Sequence, residues 1–138
     1  MADATPPMTV SLAWDGNLEF TGQAGKHEVG IDGASYTASS PMQLLALSVA
    51  GCMSVDIVHI LTRGRHKVVS LEATCTGERA AEAPKCFRAI TLHFVIGTDA
   101  APTAIERAIQ LSRGKYCSVW NSLRQDITLT TGFETRAV

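Results

Sequence analysis

The residues that could do chemistry lie in two short stretches. In "SSPMQLLALSVAGCMSVDIVHILTRGR", residues 39–65, Cys52, Asp56 and His59 stand four and three apart, and Ser48 and Arg63 continue the spacing. Read as a helix, that pattern puts all five on one stripe. In "RGKYCSVWNSL", residues 113–123, Cys117 directly precedes a short helical pattern, and Arg113 and Lys115 are close in sequence. Free backbone N–H groups and the helix dipole favour a thiolate there, so either cysteine could be a nucleophile or a redox centre.

Each stretch also has a plain reading. The stripe can be the least apolar face of a core helix, with Cys52 a small buried hydrophobe, and Cys117 can simply occupy a glycine-containing break between helices. A Cys–His pair within the helix is unconvincing, because Cys52 and His59 are about 10 Å apart along the axis. Asp56, one turn from Cys52, repels a thiolate, so positive charge for a reactive Cys52 has to come from outside the helix. Cys75 and Cys86 fall in two alternating segments and could be neighbours across a hairpin, with plain burial favoured for both. The four cysteines contain no CxxC or other zinc-type pair, so no structural metal site is expected.

The elements that must position these residues are well signalled. Residues 8–14 alternate through Met8, Val10, Leu12 and Trp14, reach Asp15-Gly16, and continue as a second strand over 17–21 with Leu18 and Phe20 inward. A third short strand, 27–31, should end at Asp32-Gly33. The long helix is expected over 41–63: Ser40 is its N-cap, Pro41 its first residue, and Gln43 can close a capping box. Arg63 and Arg65 place positive charge at its C-terminal end, with Gly64 expected at the left-handed cap. Segments 67–76 and 86–96 alternate and pair as a hairpin around a polar tip. Thr103 and Glu106 suggest a second capping box, opening an amphipathic helix that breaks near Gly114. A short helix over 118–123 and a last strand over 127–136 complete the order βββ-α-ββ-α(α)-β, an α+β fold in one domain of 138 residues, with 1–7 expected to be flexible.

At 46% apolar and 18% charged, with a formal charge of −1, the chain has a globular composition and no basic run to track a phosphate backbone, so nucleic-acid binding is not expected. "MADATPPMTV" has no basic segment followed by an apolar one, so no secretory signal is read and a cytoplasmic location is expected. The long helix is apolar almost all the way round and must be enclosed on all sides or lie in a membrane. Gln43, Ser48, Ser54, Asp56 and His59 interrupt it, leaving no apolar run of about 18 residues, and this argues against the membrane. One thin sheet and a broken helix cannot enclose it, so an obligate homodimer with the two long helices near its centre is expected.

The pattern P-[ME]-[QE]-L-L-x-[LA]-x-x-x-G-C, here "SPMQLLALSVAGC", followed 65 residues later by the helix-capping cysteine of "KYCSVWNSL", is similar to the OsmC/Ohr family of osmotically inducible and organic-hydroperoxide-resistance proteins. The similarity covers residues 10–136, and "KYCSVWNSL" looks like the YhfA-like branch. The resemblance implies an OsmC-like fold: an intertwined homodimer whose two long helices are wrapped by antiparallel-rich sheets, with a thiol peroxidase site at the interface. By the family pattern Cys52 is the peroxidatic thiolate and Cys117 the resolving thiol. Cys52 would pass through sulfenic acid to a Cys52–Cys117 disulfide that an external dithiol reduces, making the protein a peroxiredoxin-like peroxidase of organic hydroperoxides in oxidative-stress defence, with no cofactor and no metal. Two departures from the pattern stand out: Met42 occupies the family's glutamate position, and no arginine precedes Arg63, leaving Lys26 or His27 as substitutes. They motivate an alternative, a binding or sensing protein that holds an apolar or acyl ligand in an interfacial pocket lined by Met42, Met53, Tyr116 and Trp120.

Overall fold

The computed structural model describes residues 5–138; residues 1–4, part of the stretch expected to be flexible, lie outside them, and 5–7 are exposed without regular structure. The chain divides into two compact units, the first ending at Leu45 and the second beginning at Ala46.

In the first unit β1 (Val10–Gly16), β2 (Glu19–Ala24) and β3 (His27–Asp32) form an antiparallel sheet in that order. Trp14 pairs with Phe20 and Phe20 with Ile31, while Leu12 pairs with Gly22 and Gly22 with Val29, so one face of the sheet is apolar. The first turn comes later than the Asp15-Gly16 expectation. β1 runs through Gly16, the register shifts between Trp14 and Gly16, and Asn17, at φ 48°, makes the reversal. Asparagine takes that left-handed conformation more readily than most residues, and the Trp14 indole N–H donates to the Asn17 carbonyl at 2.9 Å. Leu18, expected inward in β2, therefore sits in the turn and is 57% exposed. Beyond β3 the Asp32 carboxylate accepts from the N–H groups of Ala34, Tyr36 and Thr37 and from the Thr37 hydroxyl. These bonds, led by that from the Thr37 N–H, hold the Asp32 carboxyl below the usual carboxylate range.

Helix α1 (Pro41–Arg63) has the expected bounds, and its capping box forms: the Ser40 N–H donates to Gln43 Oε1 at 2.8 Å, and the Gln43 N–H to Ser40 Oγ at 3.2 Å. Its other end differs from expectation. The left-handed residue is Arg65, at φ 66°, rather than Gly64. The Arg65 N–H reaches the Thr62 carbonyl and the His66 N–H the Leu61 carbonyl, so the chain reverses one residue later in a Schellman pattern.

In the second unit β4 (Val68–Arg79) and β5 (Phe87–Thr98) form the expected antiparallel hairpin, with a shorter tip because β4 runs on to Arg79. β6 (Thr128–Arg136) then pairs with β5 in parallel, which makes β5 central. Helix α2 (Pro102–Leu111) begins before Thr103, with Ala101 at the cap and no side-chain capping bond. Proline at the first helical position sets the start, and Glu106, instead of closing a box with Thr103, accepts from Gln110 at 2.9 Å. The break expected near Gly114 is a π-helical turn, Ser112–Tyr116, followed by the short α3 (Ser118–Asn121). The core combines Ile90, Leu92, Phe94 and Ile96 of β5, Val49, Met53, Ile57 and Leu61 of α1, and Ile105, Ala108 and Ile109 of α2, all at most 1% exposed.

By length and composition α1 is apolar enough to cross a membrane, the one such helix among the described residues, although Gln43, Ser48, Ser54, Asp56 and His59 punctuate it. Its buried positions recur every four residues, as in a core helix. Leu47, Val55 and Val58 remain 61%, 69% and 39% exposed.

Candidate thiol site

Three local structures of the second unit converge on one point. Helix α1 presents Cys52 and Asp56 one turn apart. The π-helical turn carries Ser112, and Cys117 caps α3 with extended backbone, φ −72° and ψ 100°. The wide turn is closed by the Cys117 N–H on the Ser112 carbonyl at 2.8 Å, and Asn121 Nδ2 ties it to α3 by donating to the carbonyls of Cys117 at 2.9 Å and Arg113 at 3.1 Å. Cys52 Sγ, Cys117 Sγ and a carboxylate oxygen of Asp56 consequently lie within 4.8 Å of one another. That set of two sulfurs and one oxygen is also the group of donors that could hold a metal ion.

The two thiols differ in environment. Cys52 is half-buried, whereas Cys117 has no exposed surface. The Trp120 N–H donates to Cys117 Sγ at 3.3 Å, as its capping position leads one to expect. The expected gain in acidity is nevertheless overturned: the Cys117 thiol is pushed up to about 11. Burial is the main cause, and the neighbouring Cys52 and Asp56 also disfavour the thiolate, outweighing the one N–H that stabilises it. Cys117 is therefore a protonated thiol near neutral pH. Asp56 is oriented by fully buried Ser112, whose hydroxyl donates to Asp56 Oδ2 at 2.7 Å.

Asp56 also borders a cleft of about 680 Å³ lined by His59, Ile60, Arg63, Arg107, Leu111 and Tyr116. The stripe read from the sequence thus divides: Cys52 and Asp56 join Cys117, while His59 and Arg63 line the cleft. Arg63 and Arg107 make no ion pair among the described residues. The pocket expected from Met42, Met53, Tyr116 and Trp120 is not reproduced in this form. Met53 and Trp120 are core residues, 0% and 4% exposed, and only Tyr116 faces the cleft. Met42 lies half-buried in the first turn of α1, within the first unit, and Lys26 and His27 lie exposed at the β2–β3 turn of that unit. Cys75 and Cys86 are not cross-strand neighbours: Cys75 pairs with Leu92, whereas Cys86 lies before β5, where its carbonyl accepts from the Ala80 N–H. Neither is fully buried. Burial still raises the Cys75 thiol, and Cys86 Sγ accepts from Arg124 Nη1 at 3.8 Å.

Ser112, Arg107 and the π-helical turn gave no signal in the sequence. A serine between Leu111 and Arg113 reads as the polar side of a helix end, yet Ser112 keeps helical backbone, φ −61° and ψ −53°, on from the buried Ile105, Ala108 and Ile109, and its hydroxyl reaches Asp56.

The class follows from the sequence family: a model of the OsmC-like protein family matches residues 32–132, and the chain belongs to that family. Protein YhfA of Escherichia coli strain K12 is 39% identical over 130 residues, covering 92% of this chain and 97% of YhfA. Among solved structures, a hypothetical protein from Aquifex aeolicus VF5 superposes with a TM-score of 0.89 at 27% identity, covering 97% of this chain and 99% of that one. An organic hydroperoxide resistance protein OsmC from Legionella pneumophila shares the fold at a TM-score of 0.71 and 17% identity, covering 96% of this chain and 99% of that one.

Proposed function

We propose that this OsmC-like protein is a thiol-dependent reductase of organic hydroperoxides in oxidative-stress defence, working as a homodimer through Cys52 and Cys117. The convergence of both sulfurs within 4.8 Å carries the reading. In the first step the Cys52 thiolate attacks the terminal oxygen of the hydroperoxide. The S–O bond forms as the O–O bond breaks, and the alkoxide takes a proton and leaves as the alcohol, giving Cys52 sulfenic acid. The Cys117 sulfur then displaces the sulfenate hydroxyl, which leaves as water with the Cys117 proton, and the S–S bond forms. An external dithiol reduces the disulfide by two exchanges. The state of Cys117 supports this division of labour, since a buried, protonated thiol is a poor first nucleophile and lies next to the sulfur it must meet.

Support for the dimer comes from the apolar residues exposed on α1 and β1, which a second copy of the chain would cover. In this reading residues 1–138 act as one OsmC-like domain in the reducing cytoplasm, where four free thiols persist.

Hydroperoxide consumption with an excess of dithiol tests the cycle. Cys52→Ser is expected to abolish turnover, and Cys117→Ser to leave a sulfenate that dimedone traps. Equal rates in wild type and both variants would remove the peroxidase reading. Alkylation of Cys117 should follow an ionisation near 11 in the reduced protein and shift to lower pH in Cys52→Ser, while burial, the larger cause, keeps it above the ordinary thiol value of 9.0.

The cleft favours a second reading, binding or sensing of an amphiphile without turnover: Ile60, Leu111 and Tyr116 offer apolar contact beside Arg63 and Arg107. Native mass spectrometry separates the two. A retained small molecule with peroxide-inert thiols supports binding, and a Cys52–Cys117 disulfide after one equivalent of hydroperoxide supports catalysis.

A further inference from the structure

Two sulfurs and a carboxylate oxygen converging within 4.8 Å form a donor set of a kind that thiophilic metals take. A tetrahedral zinc ion with Zn–S near 2.3 Å and Zn–O near 2.0 Å spaces its donors roughly 3.5–3.8 Å apart. The three donors reach that spacing by movements of about 1 Å, small beside an ordinary side-chain rotation.

The scaffold holds them well. Cys52 and Asp56 are one turn apart on a helix of 23 residues, so their separation is set by backbone geometry. Cys117 comes from the α3 cap, locked by the backbone bond to Ser112 and by the Asn121 side chain. The Ser112 hydroxyl occupies Asp56 Oδ2 and leaves Oδ1 for another partner, the outer hydrogen bond that orients carboxylate ligands. Asp56 opens onto the cleft, so solvent can reach a fourth position while Cys117 stays shielded.

We propose that the reduced protein binds one thiophilic divalent cation, of the Zn²⁺ type, through Cys52 Sγ, Cys117 Sγ and the Asp56 carboxylate, with solvent in the fourth position. Both thiols release their protons to solvent as the metal binds. Because metal and disulfide use the same two sulfurs, each state excludes the other: the loaded protein resists peroxide, and oxidation expels the ion. The site shares its sulfurs with the peroxidase reading but does not depend on turnover.

Titration of the reduced full-length protein with Co²⁺ tests the proposal, since a tetrahedral thiolate site shows a near-ultraviolet charge-transfer band and intense visible d–d bands. One equivalent is expected per chain. Cys52→Ser and Cys117→Ser should each weaken binding at least about a hundredfold, and Ser112→Ala about 10–100-fold, the usual effect of losing an outer-sphere partner. Asp56→Asn retains a hydrogen-bond acceptor for Ser112 and should weaken binding at least about tenfold, with circular dichroism confirming that each variant is folded. Absence of the bands, or bands that survive in Cys52→Ser or Cys117→Ser and so belong to Cys75 or Cys86, overturns the site. Hydroperoxide turnover by protein that gives no cobalt bands also overturns it and leaves the peroxidase reading standing. Cobalt bands in protein that consumes no hydroperoxide uphold the site and remove the peroxidase. In protein loaded with Zn²⁺, disulfide formation by one equivalent of hydroperoxide should slow at least tenfold.

Discussion

The two sheets carry the same sequence signal and meet different fates. In β5 every second residue, Ile90, Leu92, Phe94 and Ile96, is fully buried, with the apolar residues of α1 and α2 in the same core. In β1 the equally regular Val10, Leu12 and Trp14 are 63%, 58% and 67% exposed. Alternation thus reports that a strand has one apolar face, and says nothing about what covers it. The sheet of the second unit finds its cover within its own unit, whereas β1 presents an apolar face that a second copy of the chain would suit. Leu47, Val55 and Val58 of α1 are likewise exposed and would be covered in the proposed dimer.

The largest effect expected from this contrast is in β5. Phe94→Ala should cost about 3–5 kcal/mol by chemical denaturation, because it leaves a cavity in a closed core. On the other sheet Leu12→Lys should leave the fold intact but weaken self-association by about 2 kcal/mol or more, measured by sedimentation at low micromolar concentration. Wild-type protein that sediments as a monomer would end the dimer argument, and an unchanged association for Leu12→Lys would show that the β1 face serves some other partner.

Asp32→Ala strikes the loop that follows β3, where one carboxylate satisfies three N–H groups, and should lower stability at neutral pH. The pH dependence has a defined sign. The folded-state value lies below the unfolded value of 3.8, so the stabilisation is complete above 3.8 and fades as pH falls through the lower folded value. A variant that matched wild type throughout the acid range would refute the link.

The smallest contrast concerns two serine- or threonine-led helix starts. Ser40→Ala removes a capping box that forms and should cost about 1 kcal/mol. Thr103→Ala removes one that does not form and should stay within about 0.5 kcal/mol in the same thermal-melt comparison.

Local signals served the reading well where the chemistry was local. The start of helix α1 was legible to the residue because Ser40, Pro41 and Gln43 act on backbone groups within one turn, while its left-handed cap fell on Arg65 instead of Gly64. The Asp-Gly signal before β2 and the Thr103 box failed to competing local effects, a left-handed Asn17 and a proline at the helix start. The candidate site was half legible. Cysteines in family-like contexts marked Cys52 and Cys117, but the helix start that favours a thiolate at Cys117 is outweighed by burial, which only the packed structure shows.

The sequence by itself determined the periodic elements, the apolar character of α1 and the one-turn spacing of Cys52 and Asp56, all set by backbone geometry over a few residues. Only the tertiary structure decided that Cys117, 65 residues further on, meets that pair, that Ser112 orients Asp56, and that β6 runs parallel to β5. Those outcomes depend on which distant segments pack together and on how a core excludes water, and no local spacing encodes them.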